Sequence, residues 1–172
     1  MRSHFSPFSI TFSPPDSHSQ KLYTKGALGL IVDLSCFGKS SDPETSFVDN
    51  IKAFGALLRN ENGFISIPFG LIESKERKSS PALLKTLMEL GIVSFVIETS
   101  GSGVAFQEKI NSLGDFKRSL KLFNSNSTTY LASLNMGGSG FIGCQVSFAP
   151  RLFGTIPFSF LIYPCDCELS YS

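Results

Sequence analysis

The chain has 172 residues, of which 42% are hydrophobic and 17% are charged, and its formal net charge is +1. This length predicts one domain. The composition argues against disorder and against a protein that coats nucleic acid by electrostatics alone, because phosphate binding needs clustered lysine and arginine. No apolar run reaches the ~20 residues that span a bilayer, so no membrane partner is expected.

The first 20 residues predict an irregular arm. They are rich in serine, and Pro7, Pro14 and Pro15 interrupt any helix. The composition also loosely suits an organelle transit peptide, but a flexible or strand-swapped arm is the preferred interpretation. Residues 8–12 can add one short edge strand.

The middle of the chain predicts strands and helices in alternation. Strands are predicted where apolar residues alternate, and helices where they recur every three or four residues. In chain order, the predicted elements are a strand over residues 21–37, a helix over 46–58, a strand over 63–69, a helix over 82–90 and a strand over 92–98.

The second of these helices has the clearest boundaries. Ser80 can cap its start, Pro81 suits its first turn and Gly91 suits its end. The preceding residues, 73–80, predict a solvated surface loop rather than an RNA contact, because acidic residues dilute its basic ones. Residues 104–123 show no clear pattern, and their structure is left open.

The last quarter of the chain, residues 128–163, decides the predicted fold class. Three runs, which begin at Tyr130, Ile142 and Ile156, alternate apolar and polar residues and are separated by turn-forming links. A period of two predicts strands with one face on a core. The direct interpretation is an antiparallel meander in an all-β protein.

No catalytic site is predicted. Acid–base and nucleophilic catalysis need a positioned base, usually histidine, and the only histidines, His4 and His18, lie in the arm. Asp33 and Glu98 lie on or at the end of predicted strands and can in principle form a carboxylate pair. The preferred interpretation is that both face solvent or a loop.

No metal site or cofactor is predicted either. The pair Cys165 and Cys167 has one intervening residue, fewer than the two to four of a zinc knuckle, and no second ligand pair follows. Cys144 lies on the apolar face of a predicted strand, as a small core residue does. Together with Cys36, these four cysteines do not support a secreted disulfide framework.

The segment from Gly138 to Gly143 matches the G-x-G-x-x-G pattern of dinucleotide-binding loops, in which helix N-terminal amides hold a pyrophosphate. Such a loop must open a helix, whereas residues 142–148 alternate like a strand and Pro150 would end any helix. A wide turn between two strands is therefore preferred. A small nucleotide-dependent oxidoreductase is the least favoured alternative.

Three stretches resemble coat proteins of picorna-like plant viruses, the family that includes comoviruses, nepoviruses and cheraviruses. They are residues 58–67, where a small turn ending in Gly63 leads into an alternating strand, residues 128–132 and residues 141–158. The resemblance implies an eight-stranded jelly-roll β-sandwich over residues 21–164, between the arm at 1–20 and a tail at 165–172.

The same resemblance implies a non-enzymatic, structural capsid subunit. Such a subunit assembles with other coat proteins, two further ones in a cheravirus-like particle, into an icosahedral shell. The shell encloses viral genomic RNA, which is held weakly and non-specifically. The expected location is the virion, and the host cytoplasm during assembly. The alternative from the binding class is a cellular β-sandwich module that binds a ligand or partner through its loops.

Overall fold

A computed structural model describes residues 9–10, 29–39, 41–59, 68–114, 119–143, 145–149 and 151. Within these residues, six parallel strands form one sheet in the order of the chain. The strands are β1 (Ser9–Ile10), β2 (Leu30–Asp33), β3 (Phe69–Ile72), β4 (Phe95–Glu98), β5 (Lys121–Asn124) and β6 (Gly140–Phe141). The helices are α1 (Glu44–Leu57), α2 (Pro81–Leu90), α3 (Gly103–Leu113), α4 (Tyr130–Asn135) and α5 (Gln145–Phe148), with 3₁₀ turns at Leu34–Phe37 and Ser127–Thr129.

The strand order determines where the helices lie. Each neighbouring pair of strands is parallel, with Ile72 opposite Ile97 and Glu98 opposite Asn124. Parallel neighbours need crossover connections, and right-handed crossovers taken in unbroken order place the connecting helices on one face of the sheet. This is the arrangement in the wall of a β/α barrel.

The main core fills the layer between the sheet and the helices. Its strand residues include Leu30, Val32, Phe69, Leu71, Val96 and Leu122, and its helix residues include Phe47, Ile51, Phe54, Leu83, Leu87, Phe106, Ile110 and Leu113. Phe37, Phe47, Phe54 and Phe69 meet edge to face, and their ring centroids are 5.2–6.3 Å apart in the contacting pairs. These four rings therefore lie on the helix side of the sheet.

The opposite face of the sheet, here called the inner face, carries a smaller apolar layer. It consists of Ile31, Phe95 and Ile97, with the partly buried Ile72, Phe123 and Ile142 against them. Gly70 also lies on this face, where a Cβ atom would come within 2.1 Å of the Phe95 ring. Strand residues thus alternate between two apolar layers, as expected for a parallel sheet.

Several local predictions are confirmed. The Ser80 hydroxyl accepts from the backbone N–H of Leu83 at 3.0 Å, Pro81 opens α2, and Gly91 ends the helix with φ of 61°. The first predicted helix is α1, the strand predicted at residues 92–98 contains β4, and β1 is a short edge strand within residues 8–12. Among the described helices, none has the length and apolar character needed to cross a membrane.

The all-β jelly roll is wrong, because the structure is α/β with a parallel sheet. The first run of the predicted meander is mostly helix α4. Its buried residues, Tyr130 and Ser133, are three positions apart, while Ala132 is exposed. A run this short fits both periods, and packing of α4 near α3 selects the helical one. The second run contains α5, and residues 155–163, the third run, lie outside the described residues.

Candidate functional site at the carboxyl-terminal edge of the sheet

Polar side chains gather where the strands end. Asp33, Glu98 and Asn124 are the last residues of β2, β4 and β5, and Glu73 directly follows β3. The carboxyl ends of parallel strands meet at one edge of a sheet, and the loops at that edge carry function in β/α barrels. The candidate functional site therefore lies at this edge.

A buried ionic cluster lies under the edge on the helix side. The register of β3 and β4 places Glu73 beside Glu98, and Lys109 reaches both from α3. Its Nζ is 2.6 Å from Glu73 Oε1 and 3.4 Å from Glu98 Oε1. The side chains of Lys109, Glu73 and Glu98 are 6%, 0% and 1% exposed. Buried charges of this kind are tolerated only when they are paired and hydrogen-bonded.

Glu73 is the best-connected member of the cluster. Its Oε1 accepts from the Ser79 backbone N–H at 3.0 Å and from the Ser79 hydroxyl as well as from Lys109. Its Oε2 lies 3.5 Å from the backbone nitrogen of Thr99. One carboxylate thus contacts the β3–α2 loop (residues 73–80), the β4–α3 loop (residues 99–102) and helix α3.

Glu98 is less well satisfied. Its Oε1 accepts from the Ser100 backbone N–H at 2.8 Å and lies near Lys109. Its Oε2 is buried and has no hydrogen-bond partner within the described part of the chain. Two carboxylates share one ammonium, so the ionised cluster carries one negative charge in excess.

The side chain of Asn124 holds the loop that follows β5. Asn124, 1% exposed, accepts from the Asn126 backbone N–H at 2.7 Å and donates to the Thr129 hydroxyl at 3.0 Å. Gly101 has φ of +69°, and a Cβ there would lie 2.4 Å from Asn126 Nδ2. The β4–α3 loop therefore packs closely against the segment that follows β5.

Arg77 and Lys78 lie at the outer part of the edge. Arg77, which is buried, donates from Nη1 to the carbonyl oxygen of Lys39 at 2.5 Å, and its guanidinium lies 4.7 Å from the ring centroid of Phe47. Lys78 is exposed and donates to the Thr99 hydroxyl at 2.6 Å. Together with Asp42 and Glu44, these two cations line an open depression of about 220 Å³.

Cys36 lies in the 3₁₀ turn after β2, at the same edge. Burial, and to a smaller degree the charge of Asp33, raise the pKa of its thiol, although a backbone hydrogen bond opposes them. Asp33 itself caps the turn, since its carboxylate accepts from the Ser35 backbone N–H at 2.8 Å. The thiol is thus held in its unreactive, protonated form.

The prediction that Asp33 and Glu98 both face solvent or a loop is wrong for Glu98. Glu98 does not face solvent, since it is fully buried, and its carboxylate neighbour is Glu73 rather than Asp33. Sequence reasoning missed Glu73 and Lys109. The available signal for Lys109 was its position among Phe106, Ile110 and Leu113 on the buried side of α3. His4, His18, Cys144, Cys165 and Cys167 lie outside the described residues.

The glycine segment does not form a nucleotide loop. The dinucleotide pattern needs a strand, then the glycines, then a helix, but strand β6 lies inside the segment from Gly138 to Gly143. The residues before it approach the amino-terminal edge, where Ser139 donates its backbone N–H to the Leu122 carbonyl. The oxidoreductase alternative therefore has no support.

Neither a family model nor a curated protein matches the chain, but solved structures do. YagE, a prophage protein of the dihydrodipicolinic acid synthase family from E. coli K12 in complex with pyruvate, matches with a TM-score of 0.65 and 18% identity, over 84% of this chain and 47% of that one. Dihydrodipicolinate synthase from Thermotoga maritima matches with 0.68 and 14%, over 88% and 52%. A 2-keto 3-deoxygluconate aldolase from Picrophilus torridus matches with 0.61 and 15%, over 83% and 52%.

At these low sequence identities, the TM-scores show a shared fold and nothing more. The chain spans about half the length of these neighbours. The coat-protein resemblance is wrong, because the shared fold is that of synthases and an aldolase. The predicted capsid partners, genomic RNA and virion location are contradicted with it. The β-sandwich binding module is wrong as well, because it needed the same all-β fold. The prediction of no enzyme activity is contradicted too, since the neighbours named here include a synthase and an aldolase.

Proposed function

We propose that the protein is an enzyme that takes a small 2-oxo acid at the carboxyl-terminal edge of its sheet. The reaction class is that of a lyase or synthase that makes or breaks a carbon–carbon bond beside the oxo group. The names of the neighbours support this proposal, since they include an aldolase for a 2-keto sugar acid and a structure solved with pyruvate. The observation that carries it is the collection of polar groups at the ends of β2 to β5.

The edge offers the groups that recognise such a ligand. A 2-oxo acid presents a carboxylate and a carbonyl oxygen, both of which accept hydrogen bonds. The exposed ammonium of Lys78 lies there and uses one of its three N–H donors on the Thr99 hydroxyl. The short polar loop at residues 99–102 begins directly after β4 and leads into α3, whose N-cap is Ser102. The other N–H donors of Lys78 suit the anionic end of the ligand.

The covalent route for this chemistry uses a lysine. An amine attacks the oxo carbon, water leaves, and the resulting imine draws electrons from the neighbouring bond. On the inner face of the described strands, the residues nearest the carboxyl ends include Ile72, Ile97 and Phe123, which carry no amine. Lys109 is held between two carboxylates. A covalent route through the described residues at this edge therefore relies on a loop lysine such as Lys78.

Two measurements test the proposal. Calorimetric titration with pyruvate should show saturable binding, whereas lactate, which has a hydroxyl in place of the oxo group and cannot form an imine, should bind more weakly. Release of pyruvate from 2-keto-3-deoxygluconate, followed with a coupled lactate dehydrogenase assay, tests the lyase class. Absence of pyruvate binding by the folded protein would overturn the proposal.

Borohydride identifies the reacting group. Reduction in the presence of pyruvate should fix one reduced pyruvate on a lysine, and peptide mapping should locate it. The Lys78→Met variant should lose the adduct if Lys78 is the amine, whereas Lys85→Met, which changes an exposed lysine of α2, should retain it. Binding without any adduct would limit the proposal to non-covalent chemistry.

A further inference from the structure

Glu73 touches three separate parts of the carboxyl-terminal edge. We infer that Glu73 is a positioning residue whose carboxylate holds the β3–α2 loop and the β4–α3 loop together as one unit and so sets the shape of the ligand site. The link to ligand binding rests on the proposed function, but the coupling of the two loops does not.

The first contact orders the loop to which Glu73 itself belongs. Its carboxylate accepts from both the backbone N–H and the hydroxyl of Ser79, six residues further on. Within the same loop, the Ser74 backbone N–H donates to the Arg77 carbonyl at 3.1 Å. The loop is therefore folded back onto the end of β3, and this fold determines the position of Lys78.

The second set of contacts crosses to the neighbouring loop. Glu73 Oε2 lies 3.5 Å from the backbone nitrogen of Thr99, and the Thr99 hydroxyl donates to the Glu73 carbonyl at 3.3 Å. Lys78 donates to the same hydroxyl at 2.6 Å. Thr99 is thus bonded three times to the β3–α2 loop, and a shift of either loop disturbs the other.

The third contact comes from Lys109 on helix α3. Lys109 Nζ lies 2.6 Å from Glu73 Oε1, and both side chains are removed from water. A glutamine at position 73 has a single acceptor atom, and its NH₂ group would face either these donors or the Thr99 N–H. The uncharged amide also binds the ammonium less strongly than a carboxylate does. Hence the carboxylate form is needed to satisfy every contact.

Hydrogen exchange followed by mass spectrometry on the full chain tests the coupling. In Glu73→Gln, peptides covering residues 74–80 and 99–102 should both exchange about tenfold faster or more, because charged hydrogen bonds that close both loops are lost. Glu76→Gln is the matched control, since Glu76 is an exposed residue of the same loop, and it should leave both peptides unchanged. A uniform increase over the whole sheet would overturn the inference, since Glu73 would then be a general stabiliser.

A second pair of variants keeps the inference testable if Glu73→Gln does not fold. Thr99→Val removes the hydroxyl that bonds to the Glu73 carbonyl and to Lys78, so exchange should rise in residues 74–80, a segment about 20 residues away in sequence. Thr99→Ser retains the hydroxyl and should restore the protection. Unchanged exchange at residues 74–80 in Thr99→Val would refute the coupling.

Pyruvate titration of the same variants separates this inference from the proposed function. Coupled loops predict that Thr99→Val and Glu73→Gln weaken pyruvate binding, whereas Glu76→Gln does not. If the wild-type protein binds no pyruvate, the proposed function fails, and the exchange data alone then test whether Glu73 couples the two loops. If pyruvate binds but the two loops exchange independently, the positioning role of Glu73 fails and the proposed function stands.

Discussion

Replacing Lys109 with methionine should destabilise the protein more than any exposed lysine substitution. Methionine keeps most of the apolar stem but removes the ammonium that lies between Glu73 and Glu98. The two carboxylates, which are almost fully buried, would then lie side by side at the ends of β3 and β4 without a compensating charge. Breaking a buried ion pair from one side is costly because the remaining charge stays buried.

The contact distances give the scale of the effect. At an effective dielectric constant of about 20, ionic contacts at 2.6 and 3.4 Å are each worth about 5–6 kcal/mol before the cost of desolvation is subtracted. The net loss on removing one partner of a buried pair is about 3–5 kcal/mol. For a domain of this size, that corresponds to a fall in Tm of about 6–20 °C.

Urea unfolding followed by circular dichroism at neutral pH, together with calorimetry, measures this loss. The control is Lys85→Met on the exposed side of α2, which should stay within about 0.5 kcal/mol of the wild type. Equal free energies of unfolding for the Lys109 and Lys85 variants would refute the buried cluster. Adding Glu98→Gln to the Lys109→Met variant should recover part of the loss, because it removes one of the two unpaired charges.

Three further predictions concern single contacts. Gly70→Ala should lower the free energy of unfolding by about 1–3 kcal/mol because its Cβ would meet the Phe95 ring. Adding Phe95→Leu should recover part of this loss. An unchanged urea midpoint in Gly70→Ala would contradict the close contact with Phe95. Because the pKa of the Cys36 thiol is raised, the thiol stays protonated to higher pH than an ordinary cysteine. Iodoacetamide labelling of its peptide should therefore reach half-maximum at higher pH in the folded protein than in urea. The Asp33→Asn variant should lower this midpoint pH. Equal midpoints would contradict the burial of the thiol. Ser80→Ala should cost about 1 kcal/mol through loss of the helix cap, whereas Ser80→Thr should retain most of the stability, and equal losses in both would show that the cap is unimportant.

Among the described residues from 29 to 98, helices α1 and α2 and strand β4 were predictable from the sequence. The cap at Ser80 and the end at Gly91 are short-range features, so the residues that form them are adjacent in the chain. The same region already alternated between predicted strands and helices, which is the pattern of a parallel β/α sheet. The period-two runs after residue 128 outweighed this signal and led to the wrong fold class.

The error arose where local pattern was least informative. Six residues starting at Tyr130 fit both a strand and a helix, and only burial of Tyr130 together with Ser133 distinguishes them. Residues 104–113 were left open although Phe106, Ile110 and Leu113 recur at helical spacing. The charged residue among them, Lys109, concealed the buried face, because lysine is rarely buried unless it is paired.

The sequence by itself determined the capped helix α2, the apolar strands and the near-neutral net charge, since these depend on neighbouring residues and on composition. Tertiary structure alone decided that strands β2 to β5 lie side by side in parallel and that their carboxyl ends share one edge. It also brought together Glu73, Glu98 and Lys109, which lie up to 36 positions apart in the chain. Their pairing depends on strand register and on which face of α3 meets the sheet, and both are set by packing between distant segments.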